Sequence, residues 1–330
     1  IVFEILMPQQ VRADSMKKHA PGRHCPLHYR YAPRALRALD AISANVIYVV
    51  GGLYGNVEAL RALDRLLDRE SGRPMVVFNG DFHWFDIDPA SFSLVNEAVL
   101  SNIALRGNVE TELAGEDDPA GCGCAYPDDV NDAEVERSNR IIATLRETAR
   151  TFPQARAVLE SLPMYAVAQV GPLRVGIVHG DAESLAGWQF SHGALSDPDS
   201  ADRCAHWFEQ AGVQVFASSH TCLPVWKSFL VPGRHMAVIN NGAAGMPNFA
   251  GTRYGLVTRI GLTPAPAGAA LYGHTIDGVH LDAVRLDYDH AAWMERFLGN
   301  WPAGSDAHLS YRERIEHGPR FSVPQARIAE

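Results

Sequence analysis

Five short apolar runs, each ending in a polar motif that carries a glycine or a histidine, punctuate this chain. Residues 46–50 precede Gly51-Gly52, residues 75–78 precede Gly80-Asp81, and residues 101–105 precede Gly107-Asn108-Val109-Glu110. Residues 173–178 precede His179-Gly180-Asp181, and residues 213–217 precede Ser219-His220-Thr221-Cys222. Runs of this length without alternation suit strands enclosed on both faces. Between them lie helical stretches, the first from about Val57 with Leu60, Leu63, Leu66 and Leu67 on one face. Strand, motif and helix in alternation point to an α/β core. In such a core the carboxyl ends of the strands feed loops that meet in one crevice. One carboxylate (Asp81), one amide oxygen (Asn108) and two imidazoles (His179, His220) would then meet there. That donor set suits a divalent transition metal: Mn, Fe, Zn or Ni.

The second half continues the pattern with strands expected at 165–170, 237–239, 256–260 and 279–286, and helices at about 133–150, 201–210 and 291–298. Residues 115–132, with Asp117-Asp118-Pro119, Gly121-Cys122-Gly123-Cys124 and Pro127-Asp128-Asp129, interrupt it and read as an insertion loop. Residues 1–40, polar and punctuated by prolines, read as an N-terminal extension. Residues 41–300 form the domain and 301–330 a C-terminal extension. Ser310-Tyr311-Arg312-Glu313-Arg314 reads as a solvated helix face, with cover for the pocket as the alternative.

The 330 residues are 47% hydrophobic and 20% charged, which supports a large packed core. A net charge of −9 argues against an extended nucleic-acid or anionic-membrane surface, though not against a basic pocket for one phosphate. Cys25, Cys122, Cys124, Cys204 and Cys222 are odd in number, so a secreted disulfide framework is not expected. Cys122 and Cys124 read as solvent-facing or redox-inert, the alternative being a zinc site completed by His24, Cys25 and His28. The apolar opening at 1–7 is too short to span a bilayer and is interrupted by Glu4; Met7 and Met16 are candidate starts. A cytoplasmic protein is expected, with a small-molecule partner, no nucleic acid and no membrane; the oligomeric state stays open.

In order and spacing the motifs resemble those of the calcineurin-like metallophosphoesterases: D-x-H, GD-x-x-D, GN-H-E/D, an apolar run ending in H, and G-H-x-H. The likeness extends from about Val46 to Ile260, and the segment from Asn240 to Pro247 is similar to that family's N-x-G-S-x-G-x-P. It implies a two-sheet β-sandwich flanked by helices in α-β-β-α layers, with metals at the strand ends. It also implies a hydrolase of small-molecule phosphoesters, a phosphatase or phosphodiesterase. Asp81, Asn108, His179 and His220 match the four ligands of the family's second metal. The first-metal positions do not match: Gly52 and Tyr54 stand for its Asp and His, Trp84 for its second Asp, and Cys222 for its last His. Val109 replaces the family histidine that protonates the leaving group or stabilises the phosphorane-like transition state; losing a general acid typically forfeits ~10²–10⁴ in rate.

The resemblance therefore implies a remodelled centre, either mononuclear or rebuilt with His83, Cys222 or Tyr54 as ligand. Tyr54 and His83 are expected to face the substrate, His192 is a candidate replacement acid, and Asp181 could orient a ligand. Free amides at the start of the Val57 helix are an alternative phosphate site. The rival reading is a non-catalytic protein that keeps a metal or binds a ligand on the same fold.

Overall fold

The computed structural model describes residues 20–115 and 120–329. The apolar opening and Asp117-Asp118-Pro119 lie outside the described residues. The strands in chain order begin with β1 (Ile42–Ser43), β2 (Val46–Val50), β3 (Met75–Asn79), β4 (Ile103–Leu105), β5 (Tyr165–Val170) and β6 (Leu173–Val178). There follow β7 (Val215–Ser218), β8 (Pro224–Val231), β9 (Arg234–Asn241), β10 (Gly255–Gly261), β11 (Ala270–Ile276), β12 (Val279–Leu286) and β13 (Arg327–Ile328). They form a seven-stranded sheet in the order β1-β5-β6-β7-β9-β8-β13 and a six-stranded sheet in the order β11-β12-β10-β2-β3-β4.

Period-2 geometry explains the layers. In β2, Ile47 and Val49 point between the sheets with Val77, Ile177, Val215, Ala217, Ile239 and Ile260. Tyr48 and Val50 point outward under the helices Val57–Leu67, Pro89–Leu100 and His290–Asn300. On the other sheet Val178, Phe216 and Val238 face outward, covered by Trp207 and Phe208 of the helix Ser200–Ala211. The central strands of both sheets are thus buried on both faces, which gives the α-β-β-α order and explains why they read as unbroken apolar runs. The Val57–Leu67 helix starts where the Asn56 side chain accepts the Ala59 N–H at 3.0 Å. It buries Val57, Leu60, Leu63 and Leu66, each contributing about 1.5–3 kcal/mol of burial.

Both chain ends described here pack on this core. Tyr29 is buried and donates its hydroxyl to Glu112 at 2.6 Å, Leu36 joins the helix-covered face of the seven-stranded sheet, and β13 pairs with β8. The helix Asp306–His317 lies against the helix Asp132–Arg150, fastened by Arg140 to Asp306 and Arg137 to Ser310. Among the described residues no helix is long and apolar enough to cross a membrane.

Candidate metal centre

The strands β2, β3 and β4 run parallel in one sheet, and β6, β7 and β9 run parallel in the other. Their carboxyl ends are stitched across the sandwich by Asn79, whose Nδ2 donates to the Val178 carbonyl at 2.8 Å. The Asn79 carbonyl accepts the Nδ1–H of His179, also at 2.8 Å. Gly80 must be glycine here. Its φ is +75°, and a Cβ would lie 2.5 Å from the Gly107 nitrogen and 2.6 Å from the His179 ring.

The close turn brings Asp81, His179 and His220 within reach of one ion, their ligand atoms all within 4.8 Å of one another. Asp81 Oδ1 is 3.3 Å from His179 Nε2, Asn108 Oδ1 is 3.3 Å from the same nitrogen, and His220 Nδ1 is 3.2 Å from it. Outer partners fix which atoms face in. His179 uses Nδ1–H on the Asn79 carbonyl, so its Nε2 carries the lone pair. His220 Nε2–H donates to the Cys124 carbonyl at 3.1 Å, which leaves Nδ1 as the inward acceptor. Asn108 Nδ2 donates to the Cys122 carbonyl at 3.0 Å, so its oxygen points to the centre. Four acceptors converge; the Val109 N–H donates to Asp81 Oδ1 at 3.2 Å, and between the four acceptors themselves no donor stands unless a proton or a cation is supplied.

The electrostatics follow. Burial would raise the Asp81 carboxyl, but the charge and hydrogen bond of His179, with the Val109 N–H, hold it below the usual range. Burial and the neighbouring His179 push His220 down to about 3, so it is neutral at any ordinary pH. Burial would lower His179 too, yet Asp81 and the Asn79 carbonyl leave it above its ordinary value. Asp81, Tyr54 and Cys222 adopt left-handed φ of 53°, 57° and 60°, a conformation that costs non-glycine residues about 1–3 kcal/mol and gathers at functional sites.

Glu110 closes the Gly107-Asn108-Val109-Glu110 motif, but sequence assigns it no role. Its Oε2 accepts the N–H groups of Gly107 and Asp81 at 2.8 Å each, and its Oε1 those of Phe82 at 3.0 Å and His83 at 3.3 Å. It thereby fixes the loop that aims Asp81. Its place three residues after the helix cap at Gly107 is the signal that sequence offers for it.

Other expected residues fall differently. Tyr54 lines the cavity with its hydroxyl 2.9 Å from Cys222 Sγ, and its ring lies 2.9 Å from where a Cβ on Gly52 would be. Cys222 donates to the His220 carbonyl at 3.2 Å and stands outside the converging ligand group. His83 is fully buried, hydrogen-bonded through Nδ1 to Asp86 at 2.6 Å and stacked on Phe92, so it does not face the cavity. His192 begins the helix His192–Ser196 and packs edge-on against Phe321, away from the cavity wall. Asp181 accepts the N–H groups of Glu183, Ser184 and Gln189, tying its own loop rather than touching a ligand. The helix start at Val57 is occupied by its own Asn56 cap.

The sulfurs of Cys122 and Cys124 are bonded to each other and both residues are buried. This corrects the expectation of solvent-facing thiols and removes both from any zinc site with Cys25, whose thiol lies 3.3 Å from the Ser184 hydroxyl. The cavity beside the ligand group holds about 230 Å³ and includes Trp84, Val109, Tyr126, Trp188, Tyr311 and Arg314 in its wall.

No family model and no curated protein matches the sequence. Solved structures do match it. The metallophosphoesterase from Sphaerobacter thermophilus has a TM-score of 0.51 at 17% identity, covering 84% of this chain and 100% of that one. A hypothetical protein from Pyrococcus horikoshii OT3 has a TM-score of 0.52 at 15% identity, covering 85% of this chain and 100% of its own. The protein therefore has the calcineurin-like metallophosphoesterase fold, in a version far diverged in sequence.

Proposed function

We propose that the protein is a metal-dependent hydrolase of small-molecule phosphoesters with one divalent transition metal, held by Asp81 Oδ1, Asn108 Oδ1, His179 Nε2 and His220 Nδ1. One observation carries this reading: four acceptor atoms face one point, and the donors of Asn108, His179 and His220 are all turned outward onto backbone carbonyls. Such an arrangement is costly when empty and suited to a cation. When bound, a divalent ion supplies Lewis-acid polarisation of a phosphoryl oxygen and neutralises developing charge. Glu110 holds the loop of Asp81, and the Cys122 and Cys124 carbonyls hold Asn108 and His220. With Val109 in the cavity wall, the imidazole that lines it is that of the ligand His220 and none is left as an acid, so the reaction favours leaving groups of low pKa that depart unprotonated. The same feature supports the rival reading, a non-catalytic metal-binding protein on this fold.

The experiment is hydrolysis of p-nitrophenyl phosphate and bis(p-nitrophenyl) phosphate by protein loaded with Mn²⁺, Zn²⁺, Fe²⁺ or Ni²⁺, with metal content measured alongside. One metal per chain and metal-dependent release of nitrophenol support the hydrolase. Metal uptake without turnover of either ester supports the binding protein.

A further inference from the structure

The positions that the resemblance assigns to the first metal alone hold neutral residues, Gly52, Tyr54, Trp84 and Cys222, and the last three line the cavity beside Asp81. A guanidinium stands there instead. Arg314, from the helix Asp306–His317, donates Nη2–H to the Cys222 carbonyl at 2.6 Å and Nε–H to the Pro247 carbonyl at 3.3 Å. No carboxylate pairs with it among the described residues, and its Nη1 makes no hydrogen bond among them, yet the side chain lines the cavity together with Asp81 and His220. Glu134, a second carboxylate in the wall, is taken up by Arg137 at 2.6 Å. A half-buried cation without a counter-ion, beside a converging ligand group, is an anion site awaiting its anion.

The remaining wall sets the shape of that anion's organic part. Trp84 and Tyr311 meet edge to face at 6.4 Å between ring centres, and Tyr126 and Trp188 lie 5.9 Å apart. A cavity of about 150 Å³ already holds benzene, so about 230 Å³ admits one ring and a phosphoryl group. Resting on the metal site proposed above, we infer that Arg314 takes the place of the first metal's positive charge, gripping the non-bridging oxygens of a phosphoester whose organic group is a single flat apolar ring. Tyr311 and Arg314 are three residues apart on one helix face, so the same helix supplies the charge and one wall of the ring slot. An aromatic alcohol is also a leaving group of low pKa, which fits a centre whose wall carries Val109 in place of an acid.

The test is calorimetric titration of inorganic phosphate into the Mn²⁺-loaded full chain, comparing wild type with Arg314→Gln and Arg314→Lys, and reading metal content in each. Loss of a charge-assisted contact predicts phosphate affinity about 10- to 100-fold weaker in Arg314→Gln, with metal content unchanged and part of the affinity restored in Arg314→Lys. Phosphate affinity in Arg314→Gln equal to wild type overturns the inference and leaves the metal site standing. A wild-type chain that takes up no metal overturns the hydrolase reading and this inference with it. If Arg314→Gln does not fold, phenylglyoxal labelling of the wild-type chain, mapped by peptide mass spectrometry, decides instead. Phosphate should block labelling at Arg314, and labelling indifferent to phosphate overturns the inference. Phenyl phosphate should also be hydrolysed with a lower KM than glycerol 2-phosphate; the reverse order refutes the ring slot.

Discussion

Glu110→Gln changes one atom and asks whether the carboxylate holds the Asp81 loop. The ionised side chain accepts four backbone N–H groups, two on each oxygen, at 2.8 to 3.3 Å. An amide keeps one acceptor and turns the other into a donor, leaving either the Gly107 and Asp81 pair or the Phe82 and His83 pair facing an NH₂. Two buried donors without partners cost about 1–3 kcal/mol each, so the loss is about 2–6 kcal/mol. With about 2.1 cal/mol/K per residue of unfolding entropy over 330 residues, Tm should fall by roughly 3–9 °C. The assay is calorimetric melting of the metal-free chain, which keeps metal linkage out of the number. Metal affinity, measured separately, should fall about 10- to 100-fold because Asp81 is no longer held in place. Burial and the Asp81 charge push the Glu110 carboxyl up. Were it protonated at neutral pH, its O–H would already face an N–H and glutamine would cost almost nothing. A Tm within about 1 °C of wild type refutes the carboxylate account.

His220→Ala should abolish stoichiometric metal uptake, whereas Cys222→Ser should leave it unchanged because the thiol lies outside the converging group; elemental analysis of both checks this, and metal lost only in Cys222→Ser would reverse the assignment. Metal affinity should rise as pH rises through and above the ordinary histidine range, since the His179 proton, favoured by Asp81 over the opposing effect of burial, must leave before its nitrogen can bind. His220, held at about 3, releases no proton in that range. Calorimetry in buffers of different ionisation enthalpy should therefore find up to one proton released per ion, and a pH-independent affinity would contradict the raised His179 titration. Replacing Cys122 and Cys124 together by serine should weaken metal binding about 10-fold or more, because their carbonyls orient Asn108 and His220; unchanged affinity would show that the loop holds its shape without the sulfur link.

What sequence discloses and what it hides divide along a physical line. The strands of the core are legible because each is buried on both faces, and Asp81, Asn108, His179 and His220 are legible because each follows such a strand directly. The expected helix starting near Val57 is found at Val57–Leu67, and the one expected at about 133–150 at Asp132–Arg150. Strands β8 and β11, near the sheet margins, are mixed in polarity and gave no such signal. In sequence Tyr311 and Arg314 read first as part of a solvated helix face, with cover for the pocket as the alternative, and in the structure both line the cavity. Their helix is polar over most of its surface, and only its packing on Asp132–Arg150, through contacts more than 160 residues apart in sequence, turns that face to the cavity. His83 misled because a polar residue beside a ligand suggests a wet site. Its partners Asp86 and Phe92 lie close in sequence, but their enclosure does not show there.

The left-handed Gly52 beneath the Tyr54 ring has a consequence for how such a centre is gained or lost. With φ at 65°, an aspartate at 52 would be among the better tolerated side chains, but its Cβ would meet the phenol ring at 2.9 Å. The two positions are therefore epistatic. Tyr54→His opens the space and can come first, while Gly52→Asp alone strikes an occupied site. A route to an aspartate and a histidine at these two positions runs through position 54 before position 52, and a library that samples the two substitutions singly would score the second as deleterious and miss it.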